Sequence, residues 1–152
     1  MKTGRNHHKE AQMTEIEKII KRADELLKQT ESVELAGIDP NGYPHIFEME
    51  VMANSNIRTV YFTTGIYSGK VSDFKKNTKA ALNVCLNQDC ISMIGDVKVI
   101  EHPEEKRRLW ITERTKQLQD MKKEPLYCIL QFTGEILYYY FDGEKGFFHL
   151  DE

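Results

Sequence analysis

The sequence predicts an antiparallel α+β domain built from about six strands. Three observations predict it. Apolar alternation is broken by turn residues into hairpins, amphipathic stretches lie between the strand pairs, and no long crossover repeats as it does in parallel sheets. A glycine in the middle of a long strand adds the sharp curvature that suits a small closed barrel.

The first element is a helix. In "MTEIEKIIKRADELLKQT", Ile16, Ile19, Ile20, Ala23, Leu26 and Leu27 recur at helical spacing, and Thr14 with Glu17 makes a T-x-x-E capping box. "SVELAGID" and "YPHIFEMEVM" then read as a hairpin around "DPNG", with Pro40 at the second turn position and Gly42 taking the positive φ. A third strand, "NIRTVYFTT", runs into a short helix, "SGKVSDFKKN", whose Val71 and Phe74 lie three apart. A second hairpin joins "KAALNVCLN" to "CISMIGDVKVIE" across Gln88 and Asp89, and Gly95 in its long second strand marks a bulge or a close backbone approach. Pro103, Glu104 and Glu105 open another helix, running through "EEKRRLWITERTKQLQDM" to Met121, thin in apolar residues and therefore an outer one. "LYCILQFTGEILYYYFDGE" closes the pattern as strand, divided or bent at Gly134, and the tail "KGFFHLDE" leaves Phe147 and Phe148 exposed unless they dock.

The chain of 152 residues has the length of one domain: a flexible leader over 1–12 and one folded unit over 13–152. Twenty-one basic residues against twenty-four acidic ones give a net charge of -3, with the signs interspersed. That balance offers no nucleic-acid footprint. No apolar run reaches the roughly 20 residues needed to span a bilayer, and the polar start "MKTGRNHHKEAQ" has no secretory apolar core, so no membrane association and a cytoplasmic location are expected. Cys85, Cys90 and Cys128 fit neither a disulfide framework nor a zinc spacing. Free thiols are expected, and a Cys85–Cys90 bridge only if the strand register brings the two together. His7 and His8 read as part of a solvated leader.

The richest chemistry lies at Ser68, Gly69 and Lys70, where a strand ends and a helix begins. A helix start offers free backbone N–H groups and a partial positive charge; a hydroxyl and an ammonium there complete an anion site, or else the serine merely caps and the lysine faces water. Thr63 and Thr64 end the adjoining strand with two further hydroxyls. Other candidates carry structural readings as well. His45 is a proton donor or a metal or haem ligand, or else a hydrogen-bonding surface residue. Glu48 and Glu50 share a strand face and make an acid/base pair only if that face is not simply solvated. Trp110 with Lys106, Arg107 and Arg108, and the run Tyr138 to Phe141, either cover a ligand or serve as packing and surface.

In order along the chain, Gly42-Tyr43-Pro44-His45, an aromatic-rich strand ending in Thr, a Ser-x-Lys helix start, a long strand with central Gly95 and a Pro-Glu-Glu-Lys helix resemble the pyridoxamine 5'-phosphate oxidase-like proteins, and most of all their general stress protein branch. The similarity runs from about Val33 to Tyr140. It implies an antiparallel six-stranded split β-barrel with flanking helices, a homodimer holding flavin mononucleotide (FMN) at the subunit interface, and an oxidoreductase acting on a small-molecule substrate. Ser68 and Lys70 would then hold the phosphate, Thr63 and Thr64 the phosphate or ribityl chain, and His45, Phe47, Glu48 and Met49 would line the isoalloxazine. Phe47 and Cys90 stand where the oxidases place Arg and Gln, two polar flavin contacts. Those enzymes also carry a C-terminal Trp/Arg segment for pyridoxal recognition that is not found here, so oxidation of pyridoxamine phosphate is not expected. FAD or haem are the alternative cofactors, and a non-catalytic flavin- or haem-binding stress protein is the alternative function.

Overall fold

The computed structural model describes residues 13–111 and 127–150, with no side chain described at 110 and 111. Helix α1 (Glu15–Gln29) is followed by strands β1 (Ser32–Ile38), β2 (Pro44–Glu50) and β3 (Thr59–Gly65), helix α2 (Gly69–Lys76), strands β4 (Lys79–Leu86) and β5 (Asp89–Ile100), helix α3 (Pro103–Ile111), and strands β6 (Tyr127–Phe141) and β7 (Glu144–His149). All six expected strands are present. A seventh forms because Asp142 (φ 53°) and Gly143 (φ 81°) turn the chain back on itself and the tail pairs with β6. Phe148 thereby enters the core, whereas Phe147, on the alternate face, stays exposed. The rest of the helix expected through Met121, the side chain of Trp110, and His7 and His8 lie outside the described residues.

Every strand pair is antiparallel, in the order β2-β1-β4-β5-β6-β3 with β7 on β6. The two ends of that order touch: β2 contacts β3, and just past β2 the Met52 N–H donates to Tyr61 O at 2.9 Å. The inward faces close on Leu35, Phe62, Phe74, Leu82, Met93 and Phe132, all buried. A smaller cluster of Met52, Ile100, Tyr127 and Ile129 lies against Leu109 of α3.

Gly95 provides both features expected of it. The β5–β6 register shifts there: Ile94 opposes Ile136 and Gly95 opposes Gly134, so Glu135 is the extra, bulged residue. A Cβ on Gly95 would sit 2.0 Å from the carbonyl oxygen of Thr133, which leaves glycine as the only residue the crossing admits. Gly134 bends β6 without dividing it.

Helix α1 is capped by Thr14, whose Oγ1 accepts from Glu17 N at 3.0 Å, and it buries Ala23, Leu26 and Leu27 against the sheet. Ile16, about two turns before Ala23, is exposed. Arg22 ties the helix to two hairpin tips at once, donating to Asp89 and Asp142 at 2.8 Å each while its guanidinium lies 4.4 Å from the Phe141 ring centroid. Hydrogen bonding to Arg22 holds the Asp142 carboxyl below its ordinary range. A carboxyl depressed in the folded state stabilises above its unfolded pKa and loses that contribution as pH falls through the folded value. Arg22→Ala should therefore lower stability near neutrality, and the difference between the denaturation midpoints of the variant and the parent should narrow as pH falls and Asp142 is protonated.

Candidate functional site

The strand-to-helix junction folds as its residues dictate. β3 ends at Gly65, the Ser68 N–H donates to Gly65 O at 3.0 Å, and Ser68 (φ -63°, ψ 141°) caps α2 by accepting from Lys70 N at 3.3 Å. The first turn of α2 holds no acidic side chain, and no atom lies within 4 Å of the Cβ position at Gly69. An anion can therefore approach the positive end of the helix there, met by the Ser68 hydroxyl and the Lys70 ammonium.

β2 brings an aromatic surface to the same place. The Lys70 Nζ lies 5.1 Å from the Phe47 ring centroid, and Phe47 makes edge contacts with His45 at 4.8 Å and with Phe74 of α2 at 6.5 Å. Along this face of β2 exposure falls from His45 through Phe47 to the buried Met49. What allows α2 to dock is Gly37 of β1, which pairs with His45 and whose Cβ, if present, would lie 2.8 Å from the buried Phe74 ring. Gly37→Ala should lower stability by about 1–3 kcal/mol and displace the Lys70 end of α2, seen as weaker anion protection of α2 amides in hydrogen exchange.

The expected site residues divide. Ser68, Lys70, His45 and Phe47 converge at the α2 start. Glu48 points to the opposite face of β2, where it accepts from Ser32 Oγ at 2.7 Å, and Met49 is a core residue. Thr63 and Thr64 alternate: Thr64 is buried on the face of Val60 and Phe62, and Thr63 lies on the other. Glu48 and Glu50 share a face, and among the described residues no cluster of His, Cys, Asp or Glu is placed to hold a metal. Lys106 is no solvated cation, since it donates to Tyr127 O at 2.9 Å and lies 4.1 Å from that ring's centroid.

Cys90 is far from this cluster. It begins β5, whereas α2 borders the strand's other half around Asp96–Val99, about 20 Å away at the rise of a strand. It is also not a free thiol. The turn falls on Asn87 (φ 52°) and Gln88 (φ 74°), one residue earlier than the sequence suggested, and this register sets Cys85 directly opposite Cys90, with which it forms a disulfide. The expectation of free thiols at 85 and 90 is thus corrected, and holds only for buried Cys128. Cys90 borders an apolar groove of about 500 Å³ on the outer face of β5, β6 and β7, walled by Tyr138, Tyr140 and Phe147. Only the tyrosine run hinted at it, because forming this wall also needs β7.

Among the described residues, seven antiparallel strands and three helices fit the fold of the pyridoxamine 5'-phosphate oxidase family. The profile of that family, pyridoxamine 5'-phosphate oxidase, matches residues 19–141, and the chain belongs to it. Among solved structures, a Clostridium acetobutylicum protein related to general stress protein 26 of B. subtilis superposes with a TM-score of 0.76 at 23% identity, covering 88% of this chain and 96% of that one. General Stress Protein 26 from Bacillus anthracis gives a TM-score of 0.67 at 18% identity, covering 90% and 100%. A heme binding protein from Mycobacterium smegmatis gives 0.70 at 7% identity, covering 84% of this chain and 56% of that one. These likenesses establish the fold. No curated protein matches the sequence, and no helix among the described residues is long and apolar enough to cross a membrane.

Proposed function

We propose that the chain is an FMN-binding homodimer that acts in the cytoplasm as a flavin-dependent oxidoreductase on a small substrate. The observation that carries this reading is the meeting of Ser68, the open backbone at Gly69 and Lys70 at one helix start beside the His45–Phe47 aromatic pair. A flavin phosphate would sit in that helix start, held by a charge and by backbone donors, with Phe47 and His45 against the ring system. Bound there, the flavin would carry the electrons, and the protein would supply orientation and exclude water.

The dimer is supported by the outer face of the sheet. Ile46, Ala36, Ala81, Ile94 and Ile136 fall in one row across five strands by register, and Ile46 and Ile94 are both exposed. Such a row is suited to burial against a second copy. Ile46→Glu with Ile94→Glu should convert the species seen by light scattering from dimer to monomer.

Flavin binding is tested by titrating the purified protein with FMN and following flavin fluorescence, then adding NAD(P)H under anaerobic conditions. Saturable quenching with reduction supports an oxidoreductase; quenching without reduction leaves a flavin-binding stress protein. A Soret band on adding haem, lost in His45→Ala, would favour the haem reading, for which the Mycobacterium smegmatis fold is the precedent. A protein that leaves FMN fluorescence unchanged overturns the proposal.

A further inference from the structure

We infer that Cys85 and Cys90 form a reversible thiol–disulfide exchange site whose partner is a dithiol, and that the fold persists in both redox states. The juxtaposition is built by the backbone. β4 and β5 pair continuously from Lys79–Asp96 to Leu86–Asp89, and the two-residue turn fixes their register, so Cys85 and Cys90 face each other at a Cα separation of 4.2 Å whether or not a bond joins them. A bond that closes a loop already closed by a hairpin constrains the unfolded chain little, because the stabilisation grows with loop length. The tip has other support as well, since Arg22 ties Asp89 to α1.

The pair is also reachable and chemically prepared. Cys85 is exposed and Cys90 half-buried, both on the outer face of the sheet. An attacking thiol can approach Cys85 from solvent or Cys90 from the neighbouring groove, whose apolar walls would seat the carbon frame of the reductant. The Asn83 side-chain amide donates to Cys85 Sγ at 3.5 Å, a hydrogen bond that supports the thiolate once the bond opens. Lys145, opposite Tyr140 and two strands from Cys90 in the same row, adds positive charge to that rim. Cys128 has none of these features: burial pushes its thiol up to about 11 and keeps it out of the exchange.

The exchange balances with the dithiol as the only co-reactant. One thiolate of the dithiol attacks Cys85 Sγ, the Cys85–Cys90 bond breaks, and Cys90 leaves as a thiolate that takes up a proton. The second thiol of the reductant then attacks the mixed disulfide, closing its own ring and releasing the Cys85 thiol. Two electrons and two protons pass to the protein, and the dithiol leaves as a cyclic disulfide. Reversal oxidises a dithiol.

The test uses the full chain and dithiothreitol as the probe. Air-oxidised protein should take up no iodoacetamide; after dithiothreitol treatment without denaturant it should take up two equivalents, at Cys85 and Cys90, with an unchanged circular dichroism spectrum. Oxidised glutathione should then restore protection. Cys85→Ser should label at Cys90 without any reductant, showing that protection came from the bond. The inference is overturned if both thiols label in the air-oxidised protein and oxidised glutathione does not protect them, or if the bond opens only together with loss of the folded spectrum. The outcome is independent of FMN binding, because no step passes through the helix start of α2.

Discussion

Gly95→Ala should prevent or severely impair folding, with a loss of at least about 3 kcal/mol by urea denaturation or no soluble protein at all. The added methyl would meet the Thr133 carbonyl oxygen at 2.0 Å, and the atoms it strikes are backbone. Overpacking usually costs about 1–3 kcal/mol because side chains can move aside. Here relief would require β5 and β6 to separate at their bulge, breaking the ladder that continues on both sides of Gly95. The same substitution at Gly69 or Gly143 meets no atom within 4 Å. Gly69→Ala should therefore leave stability within about 0.5 kcal/mol of the parent, and the contrast separates a steric cause from a general glycine effect. At Gly143 the positive φ of 81° adds strain of its own, which makes that position the poorer control.

Lys70→Ala should weaken FMN binding about 10- to 100-fold while changing stability by less than about 0.5 kcal/mol. A hydrogen bond to a charged partner is worth about 1.5–3 kcal/mol, and each 1.4 kcal/mol is tenfold in affinity. The small effect on folding follows from its surroundings: Lys70 is only half-buried, and its ammonium lies over the partly exposed Phe47 ring. Lys70→Arg should recover part of the affinity because the charge persists. Fluorescence titration measures the first quantity and urea denaturation the second. Equal affinity in Lys70→Ala would remove the phosphate from the helix start and with it the functional reading.

How much of this was legible in the sequence depended on whether the signal was local. The Thr14 cap, the Asp39–Gly42 turn and the Ser68 cap rest on side chains within a few residues of the backbone they serve, and each was visible. Asp39 Oδ1 accepts from both Asn41 and Tyr43 N–H, a closure that the letters "DPNG" announce. Ser68 and Lys70 could be paired as an anion site for the same reason. The distant partners could not. That Phe47 would lie over Lys70, or that Gly37 clears space for Phe74, depends on how β1, β2 and α2 pack, and no local spacing encodes it.

The disulfide shows how narrow the margin is. Placing the turn at Gln88–Asp89 sets Cys85 across from Ser92, whereas Asn87–Gln88 sets it across from Cys90. A one-residue difference in the turn decides whether two thiols meet. The symmetric placement of both cysteines two residues outside "NQ" was the available signal. Which tail residue docks is settled in a related way: Asp142-Gly143 is a hairpin turn in its own right, and it carries Phe148 into the core. The two faces of β2 and β3, which separate Glu48 from Phe47 and Thr63 from Thr64, were in contrast readable from alternation alone.

The pairing of β3 with β6 also sets an order of events during synthesis. Thr59 pairs with Thr133 and Gly65 with Tyr127, so β3 leaves the ribosome with one whole edge committed to a strand not yet made. At about 5–20 residues per second the wait lasts several seconds, during which Val60 and Phe62 have no sheet to cover them. The nascent chain is most open to self-association in that interval, and a chaperone that shields "TVYFTT" until β6 emerges would act when it matters most.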